Sequence, residues 1–253
     1  MQHRRQKESV DDMVIGMRPV IEAINAGKEI DKVFIQNGLR SELFKELMVL
    51  LKENNFPYKY VPHVKLNRLT KKNHQGVIAF VSPVVFSSIE EIIPDLFESG
   101  KDPFIVILDK ITDVRNFGAI LRTAESVGVD AVLIPTQGAA MLNSGTVKSS
   151  AGAIFNIKLC RSENLKDSID FLSASGLRIA AATEKGADLY YESDLKGPLA
   201  LIMGSEDIGV SPAYLKRSNI RIMIPMIGKT ESLNVSVAAG ILLYEVLKQR
   251  TIG

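Results

Sequence analysis

Two turn-forming segments toward the end of the chain, Gly204-Ser205-Glu206-Asp207-Ile208-Gly209 and Ile224-Pro225-Met226, each follow an apolar run of strand-like composition, Leu199 to Met203 and Ile220 to Ile224. A third, Ser232-Leu233-Asn234-Val235-Ser236-Val237-Ala238-Ala239-Gly240, opens a helix that is apolar on nearly every face. Turns after buried strands expose backbone donors and acceptors, and in open α/β sheets ligands collect outside the carboxyl ends of strands. The chemistry suited to such a place is the binding of a small molecule between loops.

The common nucleotide motifs do not fit. Asp109 to Gly118, after the first strand of this region, contains the single Gly118, so a Gly-x-Gly-x-x-Gly turn is missing. Gly204 and Gly209 have phosphate-loop spacing, yet Val210 stands where the lysine is required. Gly228-Lys229-Thr230 has the lysine, but Met223 stands at the first glycine position. His3, His63 and His74 all lie near the N-terminal end, away from any carboxylate cluster, which points away from a metal centre and leaves Cys or Ser nucleophiles without a base. A cofactor that brings its own reactivity remains.

The elements that must position these turns alternate. From residue 104 onward the expected strands are Phe104 to Leu108, Ala131 to Ile134, Ile157 to Cys160, Arg178 to Thr183, Leu199 to Met203 and Ile220 to Ile224, with helices from about Asn116 to Val127 and Leu165 to Ala174. That alternation predicts an α/β domain with a largely parallel sheet covered on both sides. Before it, helices at about Met17 to Ala26, Glu42 to Asn54 and Lys65 to Lys72, with strands at Val33 to Gln36, Tyr58 to Val61 and Val77 to Val81, form a smaller α/β module. The expected domains are a flexible tail over 1–12, the small module over 13–82, a linker over 83–103 containing an acidic helix, and the main domain over 104–253.

At 253 residues and 46% hydrophobic, the chain can build real cores. The single cysteine, Cys160, suits a reducing compartment and packing as a small hydrophobe. A polar N-terminus and the shortness of every apolar run predict a soluble, cytoplasmic protein without a membrane span. The net charge of +2 conceals a split, with residues 1–82 at +5 and the remainder at −3. No acidic residue occurs between Asn54 and Ile89, while Lys59, Lys65, Arg68, Lys71 and Lys72 supply positive charge, which suits phosphate as well as an ordinary solvated face. The last helix, expected over Leu233 to Arg250, should be buried all round, and a partner subunit covering one face, hence a homodimer, is the favoured arrangement.

Asp113-Val114-Arg115-Asn116-Phe117-Gly118-Ala119-Ile120-Leu121-Arg122-Thr123-Ala124, Gly204-Ser205-Glu206-Asp207-Ile208-Gly209-Val210-Ser211 and Ile224-Pro225-Met226 through Ser232-Leu233-Asn234-Val235-Ser236-Val237-Ala238 resemble, in this order, the three motifs of the SpoU family. These are RNA 2′-O-ribose methyltransferases that use S-adenosylmethionine. The first segment, ending His74-Gln75-Gly76-Val77, resembles the family's ribosomal-protein-like RNA-binding extension, so the likeness covers nearly the whole chain. Within the family the combination is most similar to enzymes acting on a guanosine of large-subunit ribosomal RNA, with transfer-RNA enzymes as near relatives. Two departures are Asp207, where glycine is commoner, and Val114-Arg115 in place of a commoner Pro-His-like pair.

The resemblance implies a deep trefoil knot over about 199–253 holding the cofactor. It implies cofactor contacts from Gly204, Ile224, Met226, Ser232 and Leu233, with Thr183 and Met203 on the adenosine side. Arg122 is implied to meet the target ribose or its phosphate; on the residues alone it could equally form a helix-surface pair with Glu125 or Glu206. Asn116, the expected helix cap by residue type, is implied to position Arg122 or substrate, and Glu206 to hold Arg122. Ser232 is the expected cap of the last helix, while Asn234 and Ser236 are implied to shape the cofactor and ribose pocket. Lys65, Arg68, Lys71 and Lys72 are the expected RNA contacts, and no metal is called for. A non-catalytic RNA-binding scaffold is the rival reading.

Overall fold

The computed structural model describes residues 13–184, 187–205 and 207–252. The chain divides into one unit of Met1–Val85 with Met141–Gly145 and a second of Phe86–Ala140 with Thr146–Gly253. The tail expected over 1–12 lies outside the described residues.

The first unit runs β1 (Met13–Ile15), α1 (Met17–Asn25), β2 (Ile30–Gln36), α2 (Glu42–Glu53), β3 (Tyr58–Val61), α3 (His63–Leu69), β4 (Val77–Val81). Its sheet order is β1-β4-β2-β3, with β4 antiparallel to both neighbours and β2 parallel to β3. Alternation along the strands sorts the core into two clusters. Val33, Ile35, Val77 and Ala79 pack with Val20, Ile24, Leu47 and Leu51 of α1 and α2. Phe34, Ile78, Phe80 and Val61 pack with Leu66 of α3, and Met141 joins this cluster. Ser41 caps α2 by accepting from the Phe44 N–H at 3.2 Å. The helix expected over Lys65 to Lys72 starts and stops earlier. Pro62 pre-sets its entry with φ −62°, and extended backbone at Thr70, φ −145°, ends it.

The second unit contains α4 (Ile89–Glu98), β5 (Phe104–Asp109), α5 (Val114–Ser126), β6 (Ala131–Pro135), α6 (Ser144–Ser149), a 3-10 turn (Ala153–Phe155), β7 (Lys158–Ser162), α7 (Leu165–Ala174), β8 (Arg178–Ala182), β9 (Asp188–Leu189), β10 (Leu199–Gly204), α8 (Pro212–Leu215), β11 (Ile220–Met223) and α9 (Val235–Ile252). The seven strands form a parallel sheet ordered β7-β6-β5-β10-β8-β11-β9. Strand residues pointing to either face are buried, because helices cover both sides. On one face Ile105, Ile107, Leu133, Cys160, Ile179 and Ile202 meet Ile92 and Ile93 of α4 and Ile169 and Leu172 of α7. The helix in the stretch expected as a linker is therefore part of this core. On the other face α9 lies against β10 and α5 packs along α9.

Burial pushes the Cys160 thiol up to about 12, with Glu90 adding and Lys158 opposing, so it packs as a small inert hydrophobe. The last helix is not buried all round within the chain. Val235, Ala239, Leu242, Leu243 and Val246 are buried, but Val237 is 51% and Tyr244 54% exposed. The reason is geometric: α5 and the sheet approach one side of α9, and no described element of the chain covers the opposite side.

Candidate functional site

Strand register gathers the candidate cofactor residues. In the order β10-β8-β11 Ile202 pairs with Ala181, and Ile222 with Ala182, so Gly204 closing β10, Thr183 following β8 and Ile224 following β11 lie side by side at the carboxyl ends of adjacent parallel strands. Thr183 is tied in by its N–H donating to the Ile222 carbonyl at 2.9 Å. Met203 is buried, so only its main chain can face a ligand, whereas Ile224 and Leu233 are half-buried and Met226 and Ser232 are exposed.

After Gly204 the chain doubles back tightly. Ser205 and Gly209 form an antiparallel bridge, with the Gly209 N–H donating to the Ser205 carbonyl at 2.8 Å. A Cβ on Gly204 would fall inside the Gly209 carbonyl group and the Val210 nitrogen, so glycine is required there by contact with main chain. Gly209 is required differently, by its φ of +70°. Glu206, between them, lies outside the described residues. A residue that the pattern reading missed anchors this loop: Asp109, only 1% exposed, accepts the Ser211 N–H at 2.8 Å. Its signal was a carboxylate closing an otherwise apolar strand, and Gly204 sits beside it in register. Burial raises the Tyr214 phenol, with the Asp109 charge contributing.

The first and third motifs meet directly. The Asn234 side-chain amide donates to the Asn116 side-chain oxygen Oδ1 at 3.0 Å across 118 residues of sequence. Asn234 also caps α9: its side-chain oxygen accepts from the Ser236 N–H at 3.0 Å and the Ser236 hydroxyl at 2.5 Å. Two expected caps are thereby corrected. Ser232 lies outside α9, which begins at Val235, because Asn234 supplies the acceptor. Asn116 is within α5, whose cap is Asp113, accepting from the Arg115 and Asn116 N–H groups at 2.8 and 2.9 Å. That leaves the Asn116 side chain available for Asn234.

Arg122 is exposed, because Phe117, Ile120, Leu121 and Ala124 occupy the buried arc of α5. It forms no ion pair among the described residues, Glu125 included. Six residues along a helix place it about 9 Å further on and roughly 120° round from Asn116. The structure thus joins Asn116, Asn234 and Ser236.

Two cavities of about 450 and 620 Å³ open at the opposite, amino-terminal end of the sheet, lined among others by Asp102, Asp130 and Arg250, and by Arg178, Asn219 and Arg221. Neither includes a candidate residue. They are polar surface hollows around strand starts; the first surrounds Arg250, which fastens α9 to the Asp102 and Pro103 carbonyls at 3.1 and 3.3 Å. Among the described residues no three His, Cys, Asp or Glu side chains gather where they could hold a metal ion.

In the first unit Arg68, Lys71 and Lys72 are exposed, and the Lys65 ammonium lies 4.6 Å from the centre of the Phe34 ring. Buried His74 accepts the Gly76 N–H on Nδ1 at 3.0 Å. Burial lowers its pKa below the usual 6.5, with His63 adding to the shift. A depressed native pKa contributes stability present above about pH 6.5 and lost as pH falls through the native value. Thermal melts should therefore show a loss that sets in as pH falls below about 6.5 and that His74→Gln, neutral throughout, lacks. Equal pH dependence of the two proteins would refute this.

Sequence comparison places these two units in known company. Residues 103–244 match the family described as SpoU rRNA Methylase family, and residues 13–86 match RNA 2'-O ribose methyltransferase substrate binding. A Staphylococcus haemolyticus protein assigned to the TrmH family of tRNA/rRNA methyltransferases is 36% identical over 240 residues, covering 95% of this chain and 96% of its own. An AdoMet-bound rRNA methyltransferase from Sinorhizobium meliloti superposes with a TM-score of 0.60 at 24% identity, covering 92% of this chain and 85% of that one. The A. aeolicus TrmH/SpoU tRNA modifying enzyme superposes with a TM-score of 0.53 at 32% identity, covering 63% of this chain and 83% of that one.

Proposed function

The chain belongs to the SpoU rRNA Methylase family, and from that membership we propose that it is an S-adenosylmethionine-dependent enzyme methylating a ribose 2′-hydroxyl of structured RNA, at a guanosine of large-subunit ribosomal RNA. The observation that carries this reading is the Asn234 to Asn116 hydrogen bond, which ties the opening of α9 to α5 beside the row of strand ends.

Thr183, Met203, Gly204, Ile224, Met226, Ser232 and Leu233 would hold the cofactor, largely through main-chain groups, and the adjacency of Gly204, Thr183 and Ile224 fits a ligand lying across three strand ends. When bound, the sulfonium supplies an activated methyl group. The chain's own task is alignment and electrostatics. Arg122 would orient the 2′-hydroxyl and stabilise its developing negative charge, Glu206 would hold Arg122, and Asn116, Asn234 and Ser236 would shape the ribose side. The 199–253 run would be threaded as a deep trefoil knot. A cytoplasmic homodimer would cover the exposed Val237 and Tyr244 side of α9.

Residues 13–82 would hold RNA through Lys65, Arg68, Lys71 and Lys72, leaving 104–253 for methyl transfer. Four phosphate contacts to unpaired RNA predict a slope of log affinity against log salt of about −3. Filter binding at increasing salt measures it, and each lysine-to-alanine change should reduce the slope by roughly 0.7; a flat salt response would defeat the assignment. Ribosomal RNA is preferred because residues 13–82 resemble the extension of the ribosomal subfamily, whereas the A. aeolicus tRNA enzyme aligns with 63% of this chain. Transfer RNA is the second reading, favoured by that enzyme's 32% identity.

Calorimetry with S-adenosylmethionine separates the enzyme from a scaffold: binding by the folded protein is expected, and none would eliminate the enzyme reading. Mapping ribose methylation in ribosomal and transfer RNA from a strain lacking this protein then identifies the target. A missing mark in transfer RNA alone would replace the ribosomal assignment with the second reading.

A further inference from the structure

A chain of hydrogen bonds in the first unit runs from the main chain out to the surface. Gln75 and Gly76 both adopt positive φ, 49° and 83°, in the turn entering β4. That turn directs the Gly76 N–H at His74 Nδ1, 3.0 Å away. His74 Nε2 lies 2.9 Å from the Asn67 side-chain oxygen, and the Asn67 amide nitrogen lies 3.1 Å from His63 Nδ1. The His63 and His74 rings are 5.0 Å apart. His74 is 5% exposed, while Asn67 and His63 are exposed on α3.

The polarity of the chain is set at its buried end. A backbone N–H can only donate, so His74 Nδ1 accepts and its proton sits on Nε2. That proton goes to the Asn67 oxygen. Asn67 therefore donates its amide to His63 Nδ1, and His63 must be neutral with its proton on Nε2, the ring nitrogen left over for a ligand. These tautomers are assigned from the hydrogen-bond directions. A second proton on either ring would set donor against donor. The charged or titratable groups of the elements packed around α3 are Lys65 and Arg68 on α3 itself, Tyr58, Lys59 and Tyr60 on β3, Asp31 and Lys32 on β2, and Lys71, Lys72 and His74 in the loop before β4; Asp31 is buried and accepts the Leu142 N–H at 3.1 Å. From 54 to 89 the sequence has no acidic residue, and no ion pair to His63 or His74 forms among the described residues.

We propose that His63 is an RNA-contacting residue that donates Nε2–H to a backbone phosphate, and that Asn67 and His74 are positioning residues that fix its tautomer. The inference rests on the RNA-holding role proposed above for this unit. Phosphate is the matching acceptor because Arg68, Lys71 and Lys72 surround the donor with positive charge in sequence and leave the fixed imidazole to give direction. The same chain explains why a polar trio is built around one turn: His74 closes the turn, Asn67 reverses the polarity, and His63 delivers it.

The test measures binding of the full chain to in-vitro-transcribed large-subunit ribosomal RNA at fixed salt, with S-adenosylmethionine affinity and thermal melting reporting the fold. His63→Ala should weaken RNA binding about tenfold, the worth of a hydrogen bond to a charged group. Asn67→Asp is the sharper variant. A carboxylate there accepts from both histidines, so neutral His63 must place its proton on Nδ1 and turn a bare Nε2 outward. Binding should be weak at about pH 8 and recover as pH falls toward about 6, where the imidazolium regains Nε2–H beside the new carboxylate. Wild type and the His63→Ala, Asn67→Asp double variant should lack that recovery. If wild type binds RNA with the expected salt slope but His63→Ala binds equally well, or Asn67→Asp shows no recovery, the inference falls alone. If wild type has no affinity for RNA, it falls together with the RNA-holding role.

Discussion

Replacing Arg122 by alanine is expected to lower the rate of methyl transfer by about a hundred- to a thousandfold, the range found when a fixed donor to a developing oxyanion is removed. The affinity for S-adenosylmethionine should stay within roughly twofold, because the residues assigned to that ligand lie at or beyond the ends of β8, β10 and β11 while Arg122 lies on α5. A guanidinium is a planar fork of donors with no acceptor, so the expected role is orientation and charge stabilisation, not proton removal. Arg122 is exposed and forms no ion pair among the described residues, and the apolar arc of α5 turns the other way. Arg122→Lys distinguishes charge from shape: a point charge with part of the activity argues for electrostatics, and activity as low as alanine argues for the planar fork. Near-normal turnover in Arg122→Ala would remove the residue from the mechanism.

How much of this was legible beforehand follows from the physics of each element. The strands of the large unit carry unbroken apolar runs because both faces are buried, so Phe104 to Leu108 and Leu199 to Met203 are visible without alignment. β1 escaped notice because three residues cannot display a period; Met13 to Ile15 become a strand only by pairing with β4. The helix limits misled where side-chain acceptors compete. Asp113 and Asn116 can each cap α5, and Asn234 and Ser232 can each cap α9, and the choice depends on tertiary partners that propensity does not contain. Asp109 was overlooked because its partner, the Ser211 N–H, is 102 residues away. Strand order, which brings Thr183, Gly204 and Ile224 together by placing β10 between β5 and β8, has no local signature either. Function depended on the ordered motifs, because the fold alone admits many chemistries.

The second large effect is expected at Gly204. Gly204→Ala puts a methyl group where the Gly209 carbonyl and the Val210 nitrogen already sit. Both obstacles are main chain, held by the Gly209 N–H to Ser205 carbonyl bond at 2.8 Å and, through Ser211, by the buried Asp109 at 2.8 Å. A flexible side chain could swing aside; this loop can yield only by giving up those bonds. Overpacking of this kind costs about 1–3 kcal/mol, and more where backbone must move. Displacing the loop also displaces the main-chain groups after β10 that the cofactor assignment requires, so S-adenosylmethionine affinity should fall by about a hundredfold or more, a loss of roughly 2.7 kcal/mol. Gly209→Ala is the matched control, since nothing occupies the space beside it and its cost is the φ of +70° alone, about 1–2 kcal/mol. Calorimetry with melting curves separates the two. Gly204→Ala should lose the ligand at temperatures where the protein is still folded, while Gly209→Ala should melt earlier with a smaller loss of affinity. A folded Gly204→Ala protein that binds S-adenosylmethionine like wild type would place the cofactor elsewhere than the carboxyl end of β10.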